Sequence, residues 1–311
     1  MRVRRQGASL VVDTPAKLNL FLEVLGRRSD GYHSLETVMV SVGLYDTLQF
    51  VPTATPGVSL SVCTSRGLGD VPCPVDDSNL VLKAARLLVE RHLQTLGRDP
   101  FDTLENAGLP GVAIHLTKRI PLQAGMGGGS SDAAAALVGL NRFWNLGFAS
   151  VDLHELASRL GSDVNVFLDS VPLALCRGRG EQIESRPLGR RYWVVVAQPP
   201  VGLSTAAVFR HWQPQAAPRC ATPVLQMLAQ GRLPDLQSGV FNALQQPAEL
   251  LSDEVSQLLG QLRDAGGVVS GMTGSGSACY AIGQTYRACQ TMAARLRARG
   301  GYWVGVMRCS T

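Results

Sequence analysis

The stretch RIPLQAGMGGGSSDAAAA, residues 119–136, is the part of the chain whose reading decides the fold. Val112 to Leu116 alternate ahead of it as a short strand. Gly125, Gly127, Gly128 and Gly129 then let the backbone turn tightly and leave successive amides bare, with no Cβ in the way. Ser130, Ser131 and Asp132 are residue types that start helices, and four alanines continue with high helix propensity. Strand, glycine turn and helix in immediate succession make an amide-lined hollow at a positive helix end, which suits phosphate oxygens. The spacing fits neither the dinucleotide nor the Walker A pattern. No lysine follows the glycines, so cationic help has to come from elsewhere in the chain. The hydroxyls of Ser130 and Ser131 suit phosphate or magnesium, and simple helix capping accounts for either one nearly as well.

Working outward, segments 8–13, 17–25, 35–42 and 46–51 read as strands separated by turns, one of them Gly43-Leu44-Tyr45-Asp46. Asp77, Ser78 and Asn79 supply capping side chains for a helix running through Leu80 to Leu88. Residues 97–110 form an irregular insert, and helices are expected over 130–144 and 152–160. Gly161 is read as a turn that leads through Asp163 into an apolar strand. Farther on, Tyr192–Ala197 reads as a strand and 212–223 as a surface crossover, with helices expected at 224–230, 241–246, 253–264 and 285–299. Strands at 267–270, 277–282 and 302–307 complete an α+β pattern, divided into domains 1–172 and 173–311.

The 311 residues are 45% apolar and 17% charged, which excludes a disordered or coiled-coil chain. Of 29 basic residues only Lys17, Lys83 and Lys118 are lysines, and the arginines are scattered rather than striped. That argues against nucleic acid as a partner. Seven cysteines form neither a close metal-binding pair nor an even disulfide framework, as expected of reduced thiols in a cytoplasmic protein. No apolar run reaches the length of a membrane span.

Three further segments carry chemistry. In Pro15-Ala16-Lys17-Leu18-Asn19-Leu20, strand alternation puts Lys17 and Asn19 on one face. Asp30-Gly31 makes a turn, after which Tyr32 and His33 present an aromatic plane and a hydrogen-bonding ring. Asp163, beside a glycine, is an acceptor of the kind that phosphoryl transfer to an alcohol needs, and an ammonium such as Lys17 nearby would keep it ionised. Gly271-Met272-Thr273-Gly274-Ser275-Gly276-Ser277 is a second glycine turn between two strands.

With these residues the chain resembles the GHMP kinase superfamily, whose phosphate loop is similar to residues 121–135. The resemblance implies a two-domain GHMP kinase fold. Its N-terminal part would be a ribosomal-protein-S5-domain-2-like domain and its C-terminal part a ferredoxin-like α/β sandwich, with the active site in the cleft between them. It implies ATP and Mg2+ as cofactors, Lys17 and Asp163 as the catalytic pair, and ATP or phosphate contacts from Gly125, Met126, Gly127, Gly128, Gly129, Ser130 and Ser131, with Asn79 and Lys118 near the adenine. Asn19, Tyr32, His33, Gly274 and Ser275 would face the substrate. Within the superfamily the likeness is to the members acting on a cytidine diphosphate-linked methylerythritol, in the non-mevalonate route to isoprenoids. Tyr32 and His33 would then hold the cytosine ring. Another small-molecule kinase of the group (mevalonate-type, homoserine or sugar kinase) and a non-catalytic nucleic-acid-binding module are the competing readings. A monomer or weak homodimer is expected, with no membrane partner. Asn165, where relatives commonly carry proline, and Ala243, where an acidic residue is usual, depart from the pattern.

Overall fold

The computed structural model describes residues 1–65, 68, 72–101 and 106–309; part of the 97–110 insert therefore lies outside the described residues. Four strands come first: β1 (Arg2–Gln6), β2 (Ser9–Arg27), β3 (His33–Thr53) and β4 (Val58–Thr64). Then follow α1 (Leu80–Thr95), β5 (Gly111–Lys118), α2 (Gly128–Phe143), α3 (Ser150–Leu160) and α4 (Val164–Asp169). Next are β6 (Leu173–Gly178), β7 (Gln182–Ser185), β8 (Trp193–Gln198), α5 (Thr205–His211), α6 (Thr222–Gln230), α7 (Leu233–Gly239) and β9 (Phe241–Asn242). The chain closes with α8 (Gln245–Leu251), α9 (Asp253–Asp264), β10 (Val269–Met272), β11 (Cys279–Gly283), α10 (Tyr286–Arg299) and β12 (Trp303–Arg308).

The chain divides into two compact units. The first holds Met1–Pro15, Tyr45–Ile120 and Gly128–Ser170; the second holds Ala16–Leu44, Pro121–Gly127 and Val171–Thr311. The long strands β2 and β3 each give one half to each unit. Residues 16–44 and 121–127 therefore group with the C-terminal half, a long-range outcome that composition along the chain does not signal.

In the first unit β3 pairs antiparallel with β5, and β4 pairs parallel with β5. On this layer lie α1 and α2. Asn79 caps α1 through its side-chain oxygen, as its residue type predicts, and Val81, Ala84, Ala85, Leu88 and Val89 form the buried stripe. Ala133 to Leu137 of α2 are buried, and a Cβ at Gly139 would come within 2.3 Å of the Phe50 ring, so small residues let this helix lie close on β3. In the second unit an antiparallel sheet runs β10-β11-β8-β12. The buried Val194, Val195 and Val196 of β8 sit between two neighbours. Leu258, Leu259 and Leu262 from α9, with Met292 and Leu296 from α10, join the core on this sheet. No helix among the described residues is long and apolar enough to cross a membrane.

Three local expectations change. Gly43 to Asp46 make no turn: β3 runs straight through them. Asp46 takes a buried role there instead, accepting hydrogen bonds from the backbone amides of Arg119 and Ile120. The apolar run after Asp163 is a helix rather than a strand, because Val164, Asn165, Val166 and Phe167 are all buried and a short helix can enclose consecutive side chains. Phe241 and Asn242 are not helical but pair parallel with Phe21 and Leu22 of β2, and the helix starts only at Gln245.

Candidate active site

In the second unit the two glycine turns interlock. Gly125 and Gly274 have φ of +70° and +56°, the left-handed region that favours glycine. A Cβ on Gly125 would stand 2.1 Å from the carbonyl oxygen of Thr273, and one on Gly274 would stand 2.7 Å from that of Gly125. Backbone amides of Ser277 and Ala278 donate to the carbonyls of Gln123 and Ala124, each at 3.3 Å. Asn242 pins the second turn by donating to the carbonyls of Met272 and Gly274, at 2.9 and 2.8 Å. Sequence reading gave Asn242 no role; only the tertiary fold brings it to residue 274.

Lys17 is placed by the same assembly. Its Nζ donates to the Gly125 carbonyl at 2.9 Å and to Asn19 Oδ1 at 2.5 Å, and the side chain is buried. Asn19 is oriented in turn: its Nδ2 donates to Thr37 Oγ1 at 2.8 Å, and the Thr37 hydroxyl donates to the Phe21 carbonyl at 2.7 Å. Asn19, expected to face substrate, is buried, with its backbone amide bonded to Thr273 Oγ1 and its Oδ1 holding Lys17 Nζ. Gly274 and Ser275 are likewise buried, and Ser275 Oγ lies 2.8 Å from Thr205 Oγ1.

In the first unit the loop's remaining glycines open α2. A Cβ at Gly128 would lie 3.0 Å from Ile120 Cγ2 and 3.2 Å from Lys118 Nζ, while Gly129 is exposed with open space around it apart from Leu80 Cδ1 at 3.7 Å. The two serines part company here. Ser131 is buried, donating to the Pro15 carbonyl and meeting the Thr14 hydroxyl, both at 2.6 Å. Ser130 Oγ is half-buried and makes no hydrogen bond among the described residues, which leaves it as the hydroxyl available to a ligand.

Lys118 and Asn79, expected near a nucleotide base, have their polar atoms engaged inside the protein. Lys118 is 1% exposed and ion-paired to Asp46 and Asp132. Burial pushes the Asp132 carboxyl up to about 8, against the pull of Lys118, and its Oδ1 has no hydrogen-bond partner among the described residues. Asn79 accepts from the Val81 amide at 2.9 Å and donates to the Pro74 carbonyl at 2.6 Å. Asp163 sits half-buried at the N-cap of α4, but its carboxylate does not cap that helix.

A second cluster in the second unit gathers around the Asp30-Gly31 turn. Arg28 and Tyr32 close that turn by a backbone bond of 2.8 Å, and Asp30 accepts from the Tyr32 amide. His33 stacks on Phe209 with ring centroids 4.8 Å apart and meets Trp212 edge-on at 5.6 Å. Burial and the nearby Arg27 hold the His33 imidazole below its usual value, hence neutral. Tyr32 stays 53% exposed beneath the Arg179 guanidinium, 4.7 Å from the ring centre. Phe209 and Trp212 were not singled out in the sequence, because nothing local ties them to residue 33.

A glycine turn opening a helix, with a buried lysine fastened to its carbonyl, is the equipment of a phosphate-transferring enzyme of the GHMP class. The GHMP kinases N terminal domain matches residues 79–176 and the GHMP kinases C terminal domain matches residues 225–301. A 4-diphosphocytidyl-2-C-methyl-D-erythritol kinase of Pelotomaculum thermopropionicum is 38% identical over 288 residues, covering 91% of this chain and 92% of that one. A crystal structure of 4-(cytidine 5'-diphospho)-2C-methyl-D-erythritol kinase superposes with a TM-score of 0.75 at 32% identity, covering 96% of this chain and 98% of that one. Homoserine kinase from Cytophaga hutchinsonii shares the fold, with a TM-score of 0.70 at 18% identity over 100% of this chain and 97% of that one. The chain belongs to the family of 4-diphosphocytidyl-2-C-methyl-D-erythritol kinases.

Proposed function

We propose that the protein transfers the γ-phosphoryl group of ATP to the 2-hydroxyl of 4-diphosphocytidyl-2-C-methyl-D-erythritol, giving the 2-phosphate and ADP. It would thus be a phosphotransferase with an alcohol group as acceptor. Family membership supports this choice of acceptor over mevalonate, homoserine or a sugar. The observation that carries the chemistry is Lys17: a buried ammonium bonded to the carbonyl of the first loop glycine and aimed by Asn19. Such a group stabilises negative charge developing on transferring oxygens without reorganising at the moment of reaction. Residues 124–131 would cradle the ATP phosphates with backbone amides.

Mg2+, held in part by Ser130 Oγ, would offset the negative charge of the ATP phosphates. Ser130 Oγ is a hard oxygen donor of the kind this ion takes, and magnesium keeps most of its other ligands as water and phosphate. Asp163 would accept or orient the proton of the substrate hydroxyl. The neutral His33 can both donate and accept hydrogen bonds at a pyrimidine edge, while the exposed Tyr32 ring offers a stacking face. The acceptor comes into reach as a small anionic alcohol, with no nucleic acid or membrane involved, and the enzyme works in the cytoplasm as a monomer or weak dimer.

Coupled measurement of ADP release, with the cytidine diphosphate alcohol and with free methylerythritol as acceptors, tests the assignment. Turnover is expected only with the cytidine compound, and equal turnover with both would overturn it. Asp163→Asn is expected to lower turnover by about 10²–10⁴-fold while ATP affinity persists. A folded variant with parental turnover would remove Asp163 from the mechanism.

A further inference from the structure

One imidazole in the first unit grips α4 at two places. His154, on α3, has Nδ1 2.8 Å from Asn165 Oδ1 and Nε2 2.8 Å from Asp169 Oδ1. Asn165 and Asp169 are four residues apart, so they lie on one face of α4, near its start and at its end. The proton inventory of this network closes in one way. Ser158 Oγ donates to the His154 carbonyl at 2.9 Å, which uses its only hydrogen. It must therefore accept from Asn165 Nδ2, 2.9 Å away. That turns Asn165 Oδ1, a pure acceptor, toward His154, so Nδ1 must carry a proton. Nε2 faces the Asp169 carboxylate oxygen at 2.8 Å. Asn165 is 2% exposed, which leaves its amide no alternative partner in water.

We propose that His154 is a positioning residue for Asp163: by holding both ends of α4 against α3 it sets the direction of that helix's N-cap carboxylate. The inference rests on the reading of Asp163 given above. Asp163 does not cap α4 with its own side chain, and α4 is only six residues long, so core packing of Val164 and Phe167 and ties from its neighbours fix its orientation. Asn165 and Asp169 supply polar ties, and both meet at His154. Phosphoryl transfer depends on placement of the accepting group, and a displacement of an ångström in such a group can cost about a hundredfold in rate. His154 touches neither substrate nor phosphate in this role; it acts through α4.

The decisive experiment is a double-mutant cycle with thermal melts recorded for every variant. His154→Ala in the wild-type background is expected to lower kcat by about ten- to a hundredfold with KM for ATP unchanged. In an Asp163→Asn background the same substitution is expected to change kcat hardly at all, because the group being positioned is already gone. Equal losses in both backgrounds would show a purely structural histidine and overturn the proposal. If Asp163→Asn itself keeps parental turnover, the reading of Asp163 fails instead, and the two failures are thereby told apart. Asn165→Ala, which cuts one tie and leaves the ring in place, covers the case in which His154→Ala does not fold; it is expected to show the same non-additivity. Nitrogen-15 NMR of histidine-labelled protein at neutral pH gives an independent reading. Nδ1 of His154 is expected in the protonated range, and an unprotonated Nδ1 would refute the tie to Asn165.

Discussion

The two glycine turns, residues 124–129 and 271–277, look alike in sequence and do different work. Both need left-handed glycines where they touch, and each fills the space that a side chain on the other would occupy. Yet every residue from Gly271 to Ser277 is buried, whereas Gly129 is exposed and Gly125, Gly127 and Gly128 are half-buried. In the second turn small residues permit packing. In the first they keep amides uncovered at the start of a sixteen-residue helix, where an anion gains both hydrogen bonds and the helix dipole. Glycine richness alone therefore does not tell the two turns apart; exposure at a helix start does.

The largest effect is expected from breaking the contact between the turns. Gly125→Ala places a methyl against the Thr273 carbonyl in a disfavoured backbone region, and about 2–4 kcal/mol of stability should be lost in urea denaturation. Turnover should fall with it, since the same glycine's carbonyl holds Lys17. Next comes Asn242→Ala, which leaves two buried carbonyls of the second turn unsatisfied. A loss of about 1–3 kcal/mol is expected, with the KM for ATP little changed if this turn is only a buttress.

A pH-dependent effect, tested by its sign, comes from Asp132. The carboxyl of Asp132 is held at about 8 in the folded protein against an ordinary 3.8 in the unfolded chain. The folded state thus binds the extra proton, and stability should decline from about pH 4 to pH 8 and level off above that. Asp132→Asn should flatten this decline, which chemical denaturation at a series of pH values would read; an unchanged slope would place the titration elsewhere. The smallest change in stability is expected from Gly129→Ala, where a methyl meets little and helix propensity improves by about 0.5–1 kcal/mol. If phosphates approach the backbone here, ATP affinity should fall even as the melting temperature rises. Unchanged affinity would put the first turn on the same footing as the second.

Much of this was legible in the chain itself. The strand, loop and helix over residues 111–143 and the Asn79 cap were read from local residue types, as were helices α9 and α10. Other features misled because one residue type serves two purposes. Asp46 carries a turn signature, but its carboxylate answers two backbone amides more than seventy positions away, so the strand continues. Val164 to Phe167 are as apolar as any buried strand, and a run that short cannot be told from a buried helix by periodicity.

Resemblance to known kinases implied the class of enzyme; what the sequence determined by itself was the glycine loop that opens a helix and the residue types offered for chemistry. These depend on spacing between near neighbours, where backbone sterics and helix propensity act without help from the rest of the chain. What the tertiary structure alone decided was how those groups are used: Ser131 committed inward to Pro15 while Ser130 stays available, Asn19 aimed at Lys17, and His154 gripping α4. Ser131 meets its partner 116 positions away, and the Asn19 amide meets Thr273 across 254. A buried polar group must find a partner wherever the fold brings one, and no local pattern records which.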